Sequence, residues 1–382
     1  MLALKRQLTK ENYFTQNQLN PPDLLSLLDL VALGTVADVV SLDKNNRILV
    51  EQGLRRIRSG QCSFGILALF NIAKRNANRA VSADLGFVCG PRLNAAGRLE
   101  DISVGIQCLL ADTAAEADAL AIILDDLNTQ RKQIEATMQQ QAELILADIK
   151  LPSSRSERQP PQIICLHHSD WHEGVIGIVA SRIKQRYNCP VIIFADAANN
   201  CIKGSGRSIE GVHMRDLIDN VAHQYPALIS NFGGHSMAAG LTLKANGLKQ
   251  FTQAIQSLVY KLDDEPFNTS THSDGQLNDT DFTLQTAEQL RNIMPWGQHF
   301  PKPSFEGTFI IISKRLLQEK HLKLTLQLAC TPHRKLSAIA FNITSSEWPE
   351  INQPLTVLYE LDVNEFRGEL SSQLIITQLI NT

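Results

Sequence analysis

No segment of this 382-residue chain is apolar for the roughly 20 residues that a helix needs to cross a bilayer. The basic opening MLALKRQLTKENYF has no apolar stretch behind it, so it does not read as a signal peptide. Paired cysteines are missing as well. Cys62, Cys89, Cys108, Cys165, Cys189, Cys201 and Cys330 are scattered, none forms a Cys-x-x-Cys pair, and several lie in apolar runs such as IICL and GFVCG. They read as buried, reduced thiols of a cytoplasmic protein with no membrane association. No Gly-x-x-x-x-Gly-Lys-Ser/Thr occurs, which excludes a P-loop. There is no internal repeat, no low-complexity tract and, at a net charge of -3, no global basic signature for nucleic acid. Residues 1–150 carry 16 Lys/Arg against 17 Asp/Glu, residues 151–260 carry 10 against 7, and residues 261–382 carry 10 against 15. Only the middle third is basic, so phosphate binding has to come from local arrangements.

What is present is ample material for cores: 43% of the residues are hydrophobic and 20% charged. Two polar, Pro/Ser-rich stretches, LPSSRSERQPPQ at 151–162 and LDDEPFNTSTHSDG at 262–275, read as linkers between three parts. In the first part, LLSLLDLVALGTVADVVSL (24–42) is almost continuously apolar and β-branched toward its end, which predicts a buried strand of an α/β sheet ending on Asp38. NNRILVEQGLRRIRSG (45–60) predicts a helix closed by Gly60, and LGFVCGPRLNAAGRL (85–99) an apolar segment running into a Gly-rich loop. From Thr113 to Lys150 there is no Pro or Gly, and Leu120, Leu124, Leu127, Ile134, Met138 and Ile145 recur at helical spacing, which predicts one long helix. The second part alternates strand and helix, QIICLHH to LKQFTQAIQSLVYKL, as an α/β domain does. After Pro301, HLKLTLQLAC, KLSAIAFNI, PLTVLYELDV and SSQLIITQLI alternate with period two, as the strands of a small OB-like barrel do.

Several stretches carry polar chemistry. Asp38 is either a helix cap or solvated loop acid, or a metal ligand at a strand end. GPRLNAAGRL (90–99) brings Arg92, Asn94 and Arg98 together with two glycines; it is a tight turn with surface arginines or an approach to phosphate. SDWHEGVIGIVASRI places Trp171 and His172 just before a helix, in capping, packing or substrate-binding positions. His167 and His168 are discounted as a metal pair, because Asp170 is the only nearby carboxylate. KGSGRS (203–208) offers Ser205, Arg207 and Ser208 on a Gly-flanked loop, and NFGGHSMAAG (231–240) offers His235 on a Gly-Gly turn. Guanidinium, hydroxyl and backbone N–H groups on two such loops fit an anion site.

Taken in order, ALGTVADVVSL, GPRLNAAGRL, WHEGVIGIVASR, GSGRS and GGHSMAAG resemble the motifs of the RecJ branch of the DHH phosphoesterase superfamily. MPWGQHFPKPSFEG (294–307) and NEFRGELSSQLIITQL (364–379) resemble its C-terminal region. The resemblance implies an α/β architecture: a partial DHH catalytic domain (1–112), a long connecting helix (113–150), an α/β DHH-associated substrate-binding domain (151–262) and a C-terminal all-β OB-fold (275–382). It implies 5′-to-3′ degradation of single-stranded DNA in repair and recombination, with Mn²⁺ or Mg²⁺ as cofactor. Asp38 matches the family's late metal-binding aspartate. Arg92, Asn94, Arg98, Trp171, His172, Ser205, Arg207, Ser208 and His235 match substrate-binding positions.

The departure lies at the start. The family pattern opens on an Asp-x-Asp, a further aspartate and an Asp-His-His. Neither the Asp-x-Asp nor the Asp-His-His stands ahead of Asp38, and no histidine does. No catalytic set is complete, and a two-metal site needs several ligands. The expectations are therefore an exonuclease portion, inactive alone, whose partners are single-stranded DNA and a separately encoded N-terminal DHH fragment. The alternatives are a non-catalytic single-strand-binding module and a DHH-type oligonucleotide phosphodiesterase.

Overall fold

The computed structural model describes residues 1–148, 162–263, 265–267, 272–317, 321–328, 333–341 and 348–380. The first linker, except Gln162, and parts of the second lie outside these residues, as do Cys330 and the ends of two C-terminal strand segments, 329–330 and 342–343. The chain forms two compact units. One comprises residues 1–91, 106–121 and 271–382; the other comprises 92–105 and 122–270.

The first unit opens with helices. Helix α1 (Leu2–Lys10) is followed by α2 (Leu28–Ala37), α3 (Lys44–Arg58) and α4 (Phe64–Ile72). The apolar run 24–42 is therefore not a strand. Its Leu-rich half turns as a short 3-10 segment and then as α2, which buries Leu28, Ala32 and Leu33, and Asp38 is its C-cap. An unbroken apolar run carries no period, so it does not distinguish a buried helix from a buried strand. Helix α3 conforms to its sequence reading. The Asp43 carboxylate caps it by accepting from the Asn46 amide at 2.8 Å, and Gly60 lies just beyond its end at φ +73°.

Residues 85–99 also depart from expectation. They form a π-turn (Leu85–Cys89) running directly into α5 (Gly90–Leu99), with no loop. Pro91 has no N–H to give and its ring crowds the preceding turn, which suits a local widening rather than a break. Gly90 packs closely on Ala37 of α2. Helix α6 (Ser103–Leu110) and the 35-residue α7 (Ala114–Asp148) follow; the long helix was legible from its spacing.

The second unit holds a five-stranded sheet in the order β1-β2-β3-β5-β4. Strand β1 (Ile164–His168) is joined through α8 (Ile176–Tyr187) to its parallel neighbour β2 (Val191–Ala197). Strand β3 (Cys201–Arg207) runs antiparallel to β2; then come α9 (Met214–Gln224), β4 (Ile229–Gly234), β5 (Ala238–Lys244) and α10 (Leu248–Val259). The pleat sorts side chains to two faces. Ile192, Phe194 and Ile202 pack with Met214, Leu217 and Ile218 of α9 and Phe251 and Ile255 of α10. Val191, Ile193 and Ala195 pack with Ile176, Val179 and Ile183 of α8 and Met138, Ala142 and Leu146 of α7. Helix α8 covers this second face over β2 and β3.

In the first unit, α11 (Leu284–Asn292) precedes a closed barrel of β6 (Phe305–Leu317), β7 (His321–Leu328), β8 (Lys335–Ala340), β9 (Pro354–Phe366) and β10 (Glu369–Leu379), paired in the order β10-β8-β7-β6-β9. Leu322, Leu324 and Leu326 of β7 point inward with Leu336 and Ala338 of β8, as period-two alternation requires. Among the described residues no helix is long and apolar enough to cross a membrane.

Candidate functional site

Beyond the reach of α8, the face of β5 and β4 stays open. Along β3, Ile202, Gly204 and Gly206 turn to the core, so Lys203, Ser205 and Arg207 share the opposite face. The register sets Lys203 beside Thr242 and Ser205 beside Gly240 on β5, and then Asn231 and Gly233 on β4 beside those two. A side chain at Gly233 would meet nothing within 4 Å, and one at Gly240 only a carbonyl oxygen at 3.9 Å, so the middle of this face is bare backbone. Around it lies a cavity of about 950 Å³, closed on one side by Gly97–Glu100 at the end of α5, by His172, Glu173 and Gly174 ahead of α8 and by Ile176 at its start.

The two walls are locked together. Arg98 Nη1 donates to the Gly174 carbonyl at 2.9 Å, and the Gly174 amide donates to His172 Nδ1 at 3.0 Å. Any Cβ at Gly174 would run into the Arg98 carbonyl, so this approach requires glycine. Behind Ser205, Arg207 Nη1 donates to Ser205 Oγ at 3.1 Å and to the Gly206 carbonyl at 2.8 Å. The two side chains lie against Gly177, in the first turn of α8. Helix amides and dipole favour negative charge there.

The electrostatics is that of crowded cations. Burial, and then the neighbouring Arg98, hold the Arg207 guanidinium below its ordinary range. Burial, and then Arg131, do the same to Arg98, with Glu135 opposing them. Arg131 is spoken for: it donates to Glu135 at 2.6 Å and to Asn128 at 2.6 Å, and Arg182 donates to Glu135 at 3.1 Å. Glu135 thus pairs with Arg131 and Arg182 and also acts on Arg98. Among the described residues, no carboxylate forms an ion pair with Arg98 or Arg207.

The structure gathers some of the residues singled out in the sequence and separates others. Arg98, His172 and Ser205 line one cavity, with Arg207 directly behind Ser205. KGSGR (203–207) is not a loop but part of the strand β3, with Ser208 just beyond it, and its glycines let Phe194, Leu241 and Met214 pack under it. Gly233 and Gly234 end β4 rather than forming a turn of their own; His235 opens the connection to β5 and is exposed. Gly234 has φ +142°, and a Cβ there would strike the Ala238 carbonyl. Arg92 is turned to Asp125 of α7 at 2.8 Å, and Asn94 is exposed on α5. Trp171 is 3% exposed, donates to Gln141 at 2.9 Å and stacks with His168. Ser208 is 1% exposed and donates to the Val212 carbonyl at 2.6 Å. Lys203, Asn231, Thr242 and Glu173 line the cavity without having been singled out. Lys203 and Asn231 stood inside the quoted motifs; only the strand alternation of KGSGR turns Lys203 to the face that Ser205 and Arg207 share.

Asp38 belongs to the other unit. It is exposed, and its amide donates to the Gly34 carbonyl at 3.1 Å. Among the described residues no group of three or more His, Cys, Asp or Glu is placed to hold a metal ion. Divalent cations of the Mg²⁺ or Mn²⁺ kind need several oxygen ligands, so the residues present do not fit such a site by themselves.

A family model for the DHHA1 domain matches residues 161–261, and one for the RecJ OB domain matches residues 273–378. The single-stranded-DNA-specific exonuclease RecJ of Salmonella typhimurium is 48% identical over 381 residues, which cover 99% of this chain and 65% of that protein. RecJ of Escherichia coli is 47% identical, again over 99% of this chain and 65% of the relative. The chain therefore spans 65% of the length of these curated relatives. The crystal structure of RecJ in complex with Mg²⁺ from Thermus thermophilus superposes with a TM-score of 0.75 at 26% identity, covering 97% of this chain and 54% of that one.

Proposed function

The chain belongs to the RecJ family, and from that premise we propose that it serves a 5′-to-3′ single-stranded-DNA exonuclease of DNA repair and recombination, in which its own part is to hold the DNA. One observation carries this reading. Arg98 and Arg207, both half-buried and each within the other's field, stand beside Ser205 at the first turn of α8 with no carboxylate paired to either among the described residues. Two guanidiniums in such an arrangement repel one another until an anion joins them, and a phosphate accepts their forked donors. The bare backbone at Gly233 and Gly240 leaves room for the sugar and base that follow the phosphate. Asn231, Thr242 and Lys203 border that space and supply donors to the phosphodiester chain rather than to base edges.

Phosphodiester hydrolysis in this reading uses Mn²⁺ or Mg²⁺, with Asp38 as one ligand. The remaining ligands come from a DHH portion that the residues described here do not supply. The complementary partner is accordingly an N-terminal DHH segment, and the setting is the cytoplasm. By itself the chain acts as a single-strand-binding module without nuclease activity. The RecJ OB-domain match favours this over a small oligonucleotide phosphodiesterase. The test is fluorescence anisotropy of the 382-residue chain with a labelled single-stranded oligonucleotide at several salt concentrations. We expect salt-sensitive binding that Arg98→Ala weakens, with a lower salt slope as the mark of a lost phosphate contact and a melting profile to show that the variant is folded. Binding that is absent at low salt, or indifferent to Arg98, overturns the reading.

A further inference from the structure

Two cations and two anions line the cavity: Arg98 and Lys203 against Glu100 and Glu173. By formal charge this is an indifferent place for a polyanion. The balance is struck at one contact. Lys203 Nζ lies 2.7 Å from Glu173 Oε2, and the two side chains are each 52% exposed. The contact joins β3 to the segment ahead of α8, the two sides between which a strand would lie. Lys203 shares its face of β3 with Ser205 and Arg207, two and four residues on, so the three side chains form a row spaced about 6.6 Å apart by strand rise. A phosphate chain following that row reaches Lys203 next after the Ser205–Arg207 position. There it meets a lysine already engaged by a carboxylate.

We propose that Glu173 stands in for a substrate phosphate: it holds Lys203 in the free protein and yields it when a single strand enters. This rests on the reading of the cavity as a DNA-binding site. The exchange is chemically easy. Ion pairs as exposed as this one are weak and screened. The lysine head is a point charge on a flexible stem, so it turns from carboxylate to phosphate without moving the sheet. Glu173, by contrast, is fixed beside Gly174, whose carbonyl is held by Arg98 and whose backbone abuts α5. Once Lys203 leaves, Glu173 remains as an unpaired carboxylate near the bound strand. It opposes the strand's retention and so favours movement over stalling. Glu173 therefore sets affinity and salt dependence without itself bonding the substrate.

The experiment is anisotropy of a fluorescein-labelled single-stranded oligodeoxynucleotide with the full chain and its Glu173→Gln, Lys203→Ala and doubly substituted variants. All the substituted side chains are exposed, and melting profiles check that each variant is folded. Glu173→Gln is expected to bind about fivefold more tightly at low salt and with a steeper salt dependence, because Lys203 reaches its phosphate in both forms but only the unsubstituted chain must first break an ion pair that salt itself weakens. Lys203→Ala is expected to bind more weakly, and in that background Glu173→Gln should gain less than about twofold, because the lysine it would release is gone. If Lys203→Ala weakens binding while Glu173→Gln changes neither affinity nor slope, Glu173 does not compete and the inference falls while the binding site stands. A full gain from Glu173→Gln in the Lys203→Ala background reduces Glu173 to simple repulsion and also overturns it. No binding by any form removes the DNA-binding reading and the inference with it.

Discussion

Arg207 and Ser208 are adjacent in sequence and differ in what they do. Strand alternation sends the Arg207 side chain over the first turn of α8 beside Ser205, whereas Ser208 leaves the strand, is buried, and spends its hydroxyl on the Val212 carbonyl at 2.6 Å. The substitutions Arg207→Ala and Ser208→Ala should therefore separate. In the proposed reading Arg207 contacts a phosphate, so on its loss single-strand affinity should drop several-fold for any base sequence and the salt slope by about 0.7. Loss of the Ser208 hydroxyl should leave binding within about twofold and lower stability by about 1 kcal/mol, the usual worth of a buried neutral hydrogen bond left half-made. Anisotropy across a salt series and urea unfolding measure the two. An unchanged slope in Arg207→Ala would make it a purely structural residue.

At the scale of the element, β9 carries paired charges on the face opposite its core side chains Tyr359 and Leu361. Lys302 Nζ lies 2.8 Å from Asp362 and 3.7 Å from Glu360, and Arg291 lies 3.3 Å from Asp362. Burial pushes the Asp362 carboxyl up, yet Lys302, the Val363 amide and Arg291 together outweigh it and hold the group below its usual range. For Glu360 burial wins over Lys302, and the carboxyl is held above its usual range. Opposite signs follow from linkage. Asp362 contributes stability above the ordinary aspartate value of about 3.9, and loses it as pH falls through its depressed value. Glu360 opposes folding at neutral pH, and that opposition fades as pH falls through its raised value. Accordingly Asp362→Asn should destabilise and Glu360→Gln stabilise the fold at pH 7, with both differences shrinking toward about pH 3 as the carboxyls protonate. Urea midpoints at the two pH values decide it; equal signs for the two variants would contradict this reading of the strand.

Barrel strands of this kind were legible in advance because a polar-apolar alternation has only one secondary-structure reading, as in HLKLTLQL over β7. The long helix was legible because Leu120, Leu124 and Leu127 keep their spacing with no Gly or Pro between Thr113 and Lys150. Three elements were misread for a shared reason. In 24–42, 85–99 and 203–208 the apolar and glycine residues that set the conformation have partners outside their own segment. Gly90 is small because Ala37 lies against it, and Gly204 and Gly206 are small because Phe194 and Met214 do. Neither choice is a turn signal. For the site, Arg98, His172, Ser205 and Arg207 converge, while Trp171 and Ser208 turn out to pack and cap. A motif keeps both kinds of residue side by side, and only burial and hydrogen-bond partners separate them.

For the molecule as a whole, binding and chemistry come apart. The second unit contains the cavity that Arg98 lines, with Arg207 behind it, and in the proposed reading it grips the phosphate chain. The first contains Asp38, exposed and with no cluster of further metal-ligating side chains among the described residues. A single carboxylate exposed to water holds Mn²⁺ or Mg²⁺ too weakly to keep two ions and an attacking water in line, which is what metal-assisted phosphodiester hydrolysis demands. We therefore expect the 382-residue chain, supplied with 5′-labelled single-stranded DNA and Mn²⁺, to bind the strand and release no nucleotide above background. Adding a separately produced DHH segment that carries the family's Asp-His-His should restore release. In that mixture Asp38→Ala should abolish release while leaving binding intact, because the proposed reading gives Asp38 to the chemistry and not to the grip. Release of nucleotide by the chain alone, lost on Asp38→Ala, would show instead that its own residues assemble the metal site.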